Sequence, residues 1–104
     1  MSGYVLSPLA LEDIFQIWSY YSSNATIELA DRIESQLFGA IDTIVTNPGI
    51  GHTRSDLTTA PVRFFRIYQF MIVYRLREQL EIVRVLHGKR DLKGILSGTE
   101  SSQQ

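Results

Sequence analysis

The sequence predicts a two-layer α+β domain of element order β-α-α-β-β-β, an antiparallel helix hairpin packed on a mainly antiparallel sheet. Three observations predict it. Apolar residues recur at helical spacing through the first half of the chain. From Arg63 onward the period shortens to two in β-branched and aromatic runs. Between the two regimes, Asn47-Pro48-Gly49 and a Gly/Thr/Ser/Pro-rich stretch from Ile50 to Pro61 punctuate the chain. A helix pair with one apolar side and a sheet with one apolar face must bury those surfaces against each other.

Tyr4 to Leu6 reads as a short strand. Ser7-Pro8 starts the first helix, with Ser7 as N-cap and Pro8 at the first helical position, where a missing N–H costs nothing. Leu11, Ile14, Phe15, Trp18 and Tyr21 follow at helical spacing, and Glu12, Asp13, Gln16 and Ser19 are expected on the solvent side. Ser22-Ser23-Asn24 ends this helix, and Asn24 is placed to cap the next. The second helix spans about 25 to 46, with Ala30, Ile33, Leu37, Ala40, Ile41 and Ile44 on its apolar face. The short break makes the two helices antiparallel neighbours.

Arg63 to Ile67, Phe70 to Arg77 and Leu80 to Leu86 read as three strands. Glu78-Gln79 is a plausible hairpin turn; Tyr68-Gln69 is a poorer one, because tight hairpins favour Gly or Asn at positive φ. In the second of these strands Phe70, Ile72, Tyr74 and Leu76 alternate with Met71, Val73, Arg75 and Arg77, so the outer sheet face is expected to carry arginine. A last helical turn is expected at Asp91 to Leu96. The domain is therefore residues 1–96, and the polar 97–104 is expected to be a disordered tail.

The chain has 104 residues and no cysteine, which excludes disulfides, zinc–cysteine sites, iron–sulfur clusters and cysteine nucleophiles. No apolar run approaches membrane-spanning length and no signal peptide is visible, so a cytoplasmic protein is expected. The net charge of −1 hides an asymmetry. Residues 1–53 hold one basic side chain, Arg32, against six acids; residues 54–104 hold nine basic side chains against five acids. The second half thus suits an acidic or polyanionic partner, or else its arginines merely solvate the outer sheet face.

The usual catalytic signatures, GxGxxG, P-loop, HExxH and GxSxG, are absent. His52 and His87 lie in different segments, so no metal site and no cofactor are expected. The chemistry-bearing segment is Arg84-Val85-Leu86-His87-Gly88-Lys89-Arg90-Asp91. Two readings of it stand open. Its arginines could stabilise a phosphorane-like charge while His87 moves a proton. Alternatively, Arg84 bridges to a carboxylate and His87-Gly88 is a structural turn.

The pieces Tyr4-x-Leu6-Ser7-Pro8-x-Ala10 with Asp13, Ile17 and Tyr20, Pro48-x-x-Gly51-x-x-Arg54-x-x-Leu57, Ile72-Val73-Tyr74-Arg75 and Arg84-Val85-Leu86-His87-Gly88-x-Arg90-Asp91 occur in order over residues 4 to 91. Together they resemble ParE-type toxins of the RelE/ParE toxin–antitoxin superfamily. The resemblance implies the family fold, a toxin neutralised by a ParD-like antitoxin in a hetero-oligomer, and DNA gyrase as the target. It implies a protein that acts by binding, with no catalytic residue. RelE-type members instead cleave mRNA on the ribosome, and that endonuclease is the alternative. The absence of a tyrosine after Tyr74, with Lys89 and Lys93 as the only lysines, argues against it. Arg75, Arg84, His87 and Arg90 are the candidate target- or antitoxin-binding residues. The antitoxin is expected to lie over exposed apolar positions beside the helix pair and to engage the arginines of the sheet. No membrane partner and no sequence-specific nucleic-acid binding by the toxin alone are expected.

Overall fold

A computed structural model describes residues 3–88, 92 and 94–96. The elements are β1 (Tyr4–Leu6), α1 (Pro8–Asn24), α2 (Ile27–Thr46), β2 (Arg63–Ile67), β3 (Phe70–Leu76) and β4 (Leu80–His87), in the predicted order. The sheet order is β1-β4-β3-β2. The β2–β3 and β3–β4 pairs are antiparallel hairpins, whereas β1 lies parallel to β4, Tyr4 opposite Leu80 and Leu6 opposite Ile82. The mixed sheet follows from connectivity: a strand joined to β4 through the helix hairpin and two further strands has no hairpin partner.

Helix starts are fixed locally. The Ser7 Oγ accepts from Ala10 N at 3.0 Å, and the same hydroxyl donates to the Val83 carbonyl at 2.7 Å, so one side chain caps α1 and anchors it to β4. The joint between the helices differs from expectation. Asn24 stays inside α1 and donates its Nδ2 to Tyr20 O; Thr26 caps α2 instead, accepting from Leu29 N at 3.0 Å. The predicted apolar face of α2 is buried residue for residue.

The face of α1 is rotated from the predicted one. Ala10, Asp13 and Ile14 are buried, with Ile17 and Tyr21 packed against the core, while Leu11 and Phe15 are 58% and 65% exposed. Ala10, Ile14, Ile17 and Tyr21 form a second stripe at helical spacing. It wins because Ser7, tied to β4, sets the rotation of the helix that follows.

The main core lies between the helices and one sheet face, where Ile33, Leu37, Ile41 and Ile44 meet Phe70, Ile72, Tyr74, Ile82 and Val85. The opposite sheet face carries arginine at its ends, Arg66 opposite Met71 and Arg75 two residues beyond Val73, but its middle is not the arginine surface that the strand alternation predicts. Val62, Phe64, Met71, Val73, Val83 and Leu86 are buried there with Leu92 and Leu96. Leu92 and 94–96 are helical, within the span of the predicted last turn. A bulge explains the pattern: β4 places both Val83 and Arg84 where β3 offers only Val73, because Val73 pairs with Arg84 and Tyr74 with Ile82. Val83 thereby joins Leu86 on the outer face while Val85 stays in the main core.

Two turns complete the frame. Tyr68 takes φ 54°, the left-handed conformation that the Tyr68-Gln69 turn demands of a residue poorly suited to it. Below the sheet, fully buried Tyr74 donates its hydroxyl to Pro48 O at 2.7 Å and accepts from Gly51 N at 2.9 Å, pinning the loop after α2. A Cβ on Gly51 would stand 2.6 Å from the Tyr74 hydroxyl and 3.0 Å from the Phe64 carbonyl. Gly51→Ala is therefore expected to destabilise the fold by about 2–3 kcal/mol through overpacking against backbone, measurable by urea denaturation. Leu96→Ala, which uncovers the outer face, is expected to cost about 2 kcal/mol or more. An unchanged midpoint for Leu96→Ala would show that the last turn does not cover the sheet in solution.

Candidate functional site

The Arg84–His87 segment, singled out by its chemistry, sits where β4 loses its neighbour. β1 ends at Leu6, opposite Ile82, and the chain turns away into α1. Beyond that point the Val85 N–H has no strand to bond. It donates to Asp13 Oδ2 on α1 at 2.9 Å. Arg84 binds the same carboxylate in bidentate fashion, Nε to Oδ2 at 2.8 Å and Nη2 to Oδ1 at 3.0 Å. The side chains are 14% and 10% exposed, so the pair is largely withdrawn from water. Hydrogen bonding to Asp13 holds the Arg84 guanidinium above its ordinary range, overcoming the opposing effect of burial. Of the two readings of Arg84, the carboxylate bridge is the one the structure contains.

Beside this junction a cleft of ≈ 460 Å³ opens between α1 and the sheet, lined by Gln16, Ile17, Tyr20 and Tyr21 on one side and Phe70, Val85 and His87 on the other. Its wall is a chain of edge-to-face rings: Tyr20 on Tyr21 (5.1 Å), Tyr21 on Phe70 (6.5 Å) and Phe70 on His87 (5.7 Å). Gln69 Nε2 donates to the Tyr21 hydroxyl at 3.0 Å, and Gly88 N donates to Gln69 O at 2.7 Å, so the β2–β3 turn braces the end of β4.

The sequence candidates are not brought together in one patch. Arg75 lies opposite Glu81 and binds it, Nε to Oε1 at 2.6 Å, both half-buried. His87 lies opposite Phe70, five residues back along β3 from Arg75, or about 17 Å at strand rise. Arg84 is turned to α1. Arg90 lies outside the described residues. Asp13, by contrast, was expected on the solvent side and proves to be the buried organiser of this end of the molecule. Its signal in the sequence is its place within the Ala10–Ile14–Ile17 stripe, where a charge needs a partner.

Among the described residues, no group of three or more His, Asp or Glu side chains could hold a metal ion, and no helix is long and apolar enough to cross a membrane. The helix hairpin on a mixed four-stranded sheet, closed by this junction, defines a small two-layer α+β domain. Residues 4–92 match the family described as ParE toxin of type II toxin–antitoxin system, parDE. Toxin ParE1 of Caulobacter vibrioides is 32% identical over 87 residues, covering 84% of this chain and 90% of that protein. Toxin ParE1 of Mycobacterium tuberculosis is 28% identical over 93 residues, covering 88% and 94%. A chain of the chromosomal ParDE TA system from P. aeruginosa shares the fold, with a TM-score of 0.70 at 18% identity over 84% of this chain and 96% of that one. The chain belongs to the ParE toxin family of type II toxin–antitoxin systems.

The junction makes a stability prediction. Asp13→Ala strands the Arg84 charge and the Val85 N–H together and is expected to cost about 3–5 kcal/mol. Arg84→Ala leaves Asp13 its bond from Val85 and is expected to cost less, about 2–3 kcal/mol. In a double-mutant cycle read by chemical denaturation, the two losses should be non-additive by about 1–3 kcal/mol. Additive losses would mean that the pair is not coupled in solution.

Proposed function

We propose that this toxin arrests growth by binding DNA gyrase in the cytoplasm, without covalent chemistry of its own, and that a ParD-like antitoxin binds and silences it. Family membership supports the toxin–antitoxin setting, and the ParDE system is named for the P. aeruginosa chain of like fold. The observation that carries the binding reading is the state of Asp13. An RNA-cleaving site needs a general base, a general acid and a charge stabiliser around one phosphate. Asp13 is the carboxylate that lines the cleft with His87, and both its oxygens are already engaged by Arg84 and Val85. The carboxylate of the cleft is thus committed to the α1–β4 junction rather than to proton transfer.

The sequence candidates then divide by role. Arg84 holds the fold at the α1–β4 junction. His87, and Arg90 after it, are proposed to face the target at the end of β4. Arg75, paired with Glu81 far along the sheet, is proposed as a separate contact for target or antitoxin. Binding demands only a shaped surface and a few anchors.

Purified toxin is expected to inhibit supercoiling by gyrase and to leave mRNA on programmed ribosomes uncut. His87→Gln is expected to lower toxicity less than about tenfold, whereas loss of a catalytic acid or base costs on the order of a hundredfold or more. Codon-specific mRNA cleavage that His87→Gln abolishes would establish the RelE-type endonuclease instead.

A further inference from the structure

Tyr68 is out of place in the turn that it occupies. Ile67 pairs with Phe70, so Tyr68-Gln69 is a two-residue hairpin loop. Among the described residues other than glycine, Tyr68 is the one with positive φ, at 54°, and it holds the first loop position, where such loops favour Gly or Asn. A side chain with a Cβ is disfavoured there, a bulky one most of all. Burial does not explain it. The residue is 63% exposed, and its ring takes no part in the ring contacts of the described residues. A residue that strains the backbone without filling the core points to a task outside the fold.

The surroundings hold the turn firmly enough to keep that strain. Gln69 Nε2 donates to the Tyr21 hydroxyl on α1 at 3.0 Å, and the Gln69 carbonyl accepts from Gly88 N at 2.7 Å. The approach is so close that a Cβ on Gly88 would stand 3.3 Å from that carbonyl. The Tyr68 carbonyl accepts from Arg66 Nε at 3.1 Å. Arg66 is exposed, and among the described residues no acid pairs with it, unlike Arg54, Arg75 and Arg84. An exposed tyrosine and an arginine with its charge uncompensated, tied together through the turn, thus stand beside the end of β4. Tyr and Arg are the side chains that commonly anchor a protein interface. A ring brings large contact area for few rotors, and a guanidinium brings directed charge.

We propose that Tyr68 is a target-contact anchor of the toxin, with Arg66 beside it, and that the two meet a partly apolar, acidic patch on a gyrase subunit. This rests on the gyrase reading above and adds to it two residues outside the sequence candidates. Position favours the target over the antitoxin: the turn braces His87-Gly88, the end of β4 that is proposed to face gyrase, so turn and strand end form one surface. The positive charge of Arg66 calls for a carboxylate on the partner.

Stability and activity should then move in opposite directions. Tyr68→Gly relieves the positive φ and is expected to leave the melting temperature at or above the wild-type value, by up to about 5 °C. The same variant is expected to need at least about tenfold more protein to inhibit supercoiling by gyrase. Tyr68→Phe keeps both the ring and the turn and is expected to inhibit within about threefold of wild type. Arg66→Ala is expected to weaken inhibition at least about fivefold. Circular dichroism confirms that each variant is folded. The full-length product of the antitoxin gene adjoining this one should bind Tyr68→Gly within about threefold of its affinity for wild type. A lower melting temperature for Tyr68→Gly shows that the tyrosine serves the fold, and overturns the proposal. Undiminished inhibition by folded Tyr68→Gly also overturns it. So does a loss of antitoxin affinity of about tenfold or more, which assigns the ring to the antitoxin. A wild-type toxin that leaves gyrase active overturns the gyrase reading, and the partner named here with it.

Discussion

The Asp13 carboxylate solves a problem that the connectivity of the chain creates. β4 is central for its first three residues only, because β1 is three residues long and leaves at Leu6. A strand edge with nothing beside it must find other hydrogen-bond partners or stay wet. α1 begins at that point, capped by Ser7 against Val83, and one turn and a half later Asp13 arrives at Val85 and Arg84. The helix thus replaces the missing strand. The carboxylate brings the charge, the Arg84 guanidinium offsets it in bidentate geometry, and the Val85 N–H takes a second lone pair of Oδ2. No buried side-chain nitrogen or oxygen among the described residues lacks a partner.

Much of the remaining architecture follows from that contact. Together with the Ser7 anchor on β4 it holds the rotation of α1, in which Ile14, Ile17 and Tyr21 face the sheet and Leu11 and Phe15 do not. It accompanies the β4 bulge, since Arg84 is one of the two residues facing Val73, and the bulge lets Val83 and Leu86 share the outer face while Val85 serves the inner one. The sheet consequently has two buried faces, one under the helix hairpin and one under Leu92 and Leu96. A strand buried on both faces is almost continuously apolar, as β3 is from Phe70 to Tyr74.

Nine of the ten basic side chains lie in the second half of the chain, and several of the described ones are already engaged. Arg54 binds Asp56, Arg75 binds Glu81, Arg84 binds Asp13, and Arg63 donates to the Gly51 carbonyl. Asp56 is close in sequence and Glu81 directly across a hairpin; Gly51 is 12 residues away and Asp13 is 71. Local neutralisation of this kind leaves the helix hairpin, with its single arginine and its exposed Phe15, as the face of distinct sign.

Element order, the strand limits of β1 and β2, the Ser7–Pro8 start of α1 and the whole buried face of α2 were legible in the residues alone, because caps, breakers and an uninterrupted apolar period act locally. The family resemblance was legible because its motifs are short, local and in order along residues 4 to 91. What the residues alone left open required distant partners. α1 carries two competing apolar stripes, and only its docking on β4 chooses between them. Arg84 could be chemistry or scaffold, and only the arrival of Asp13 decides. The outer sheet face looked basic because alternation along β3 carries no information about a bulge in β4 or about a leucine pair that packs over it. Periodicity records which side of an element is apolar; the tertiary structure settles which charges are used up in holding the elements together and which surface is left to meet another molecule.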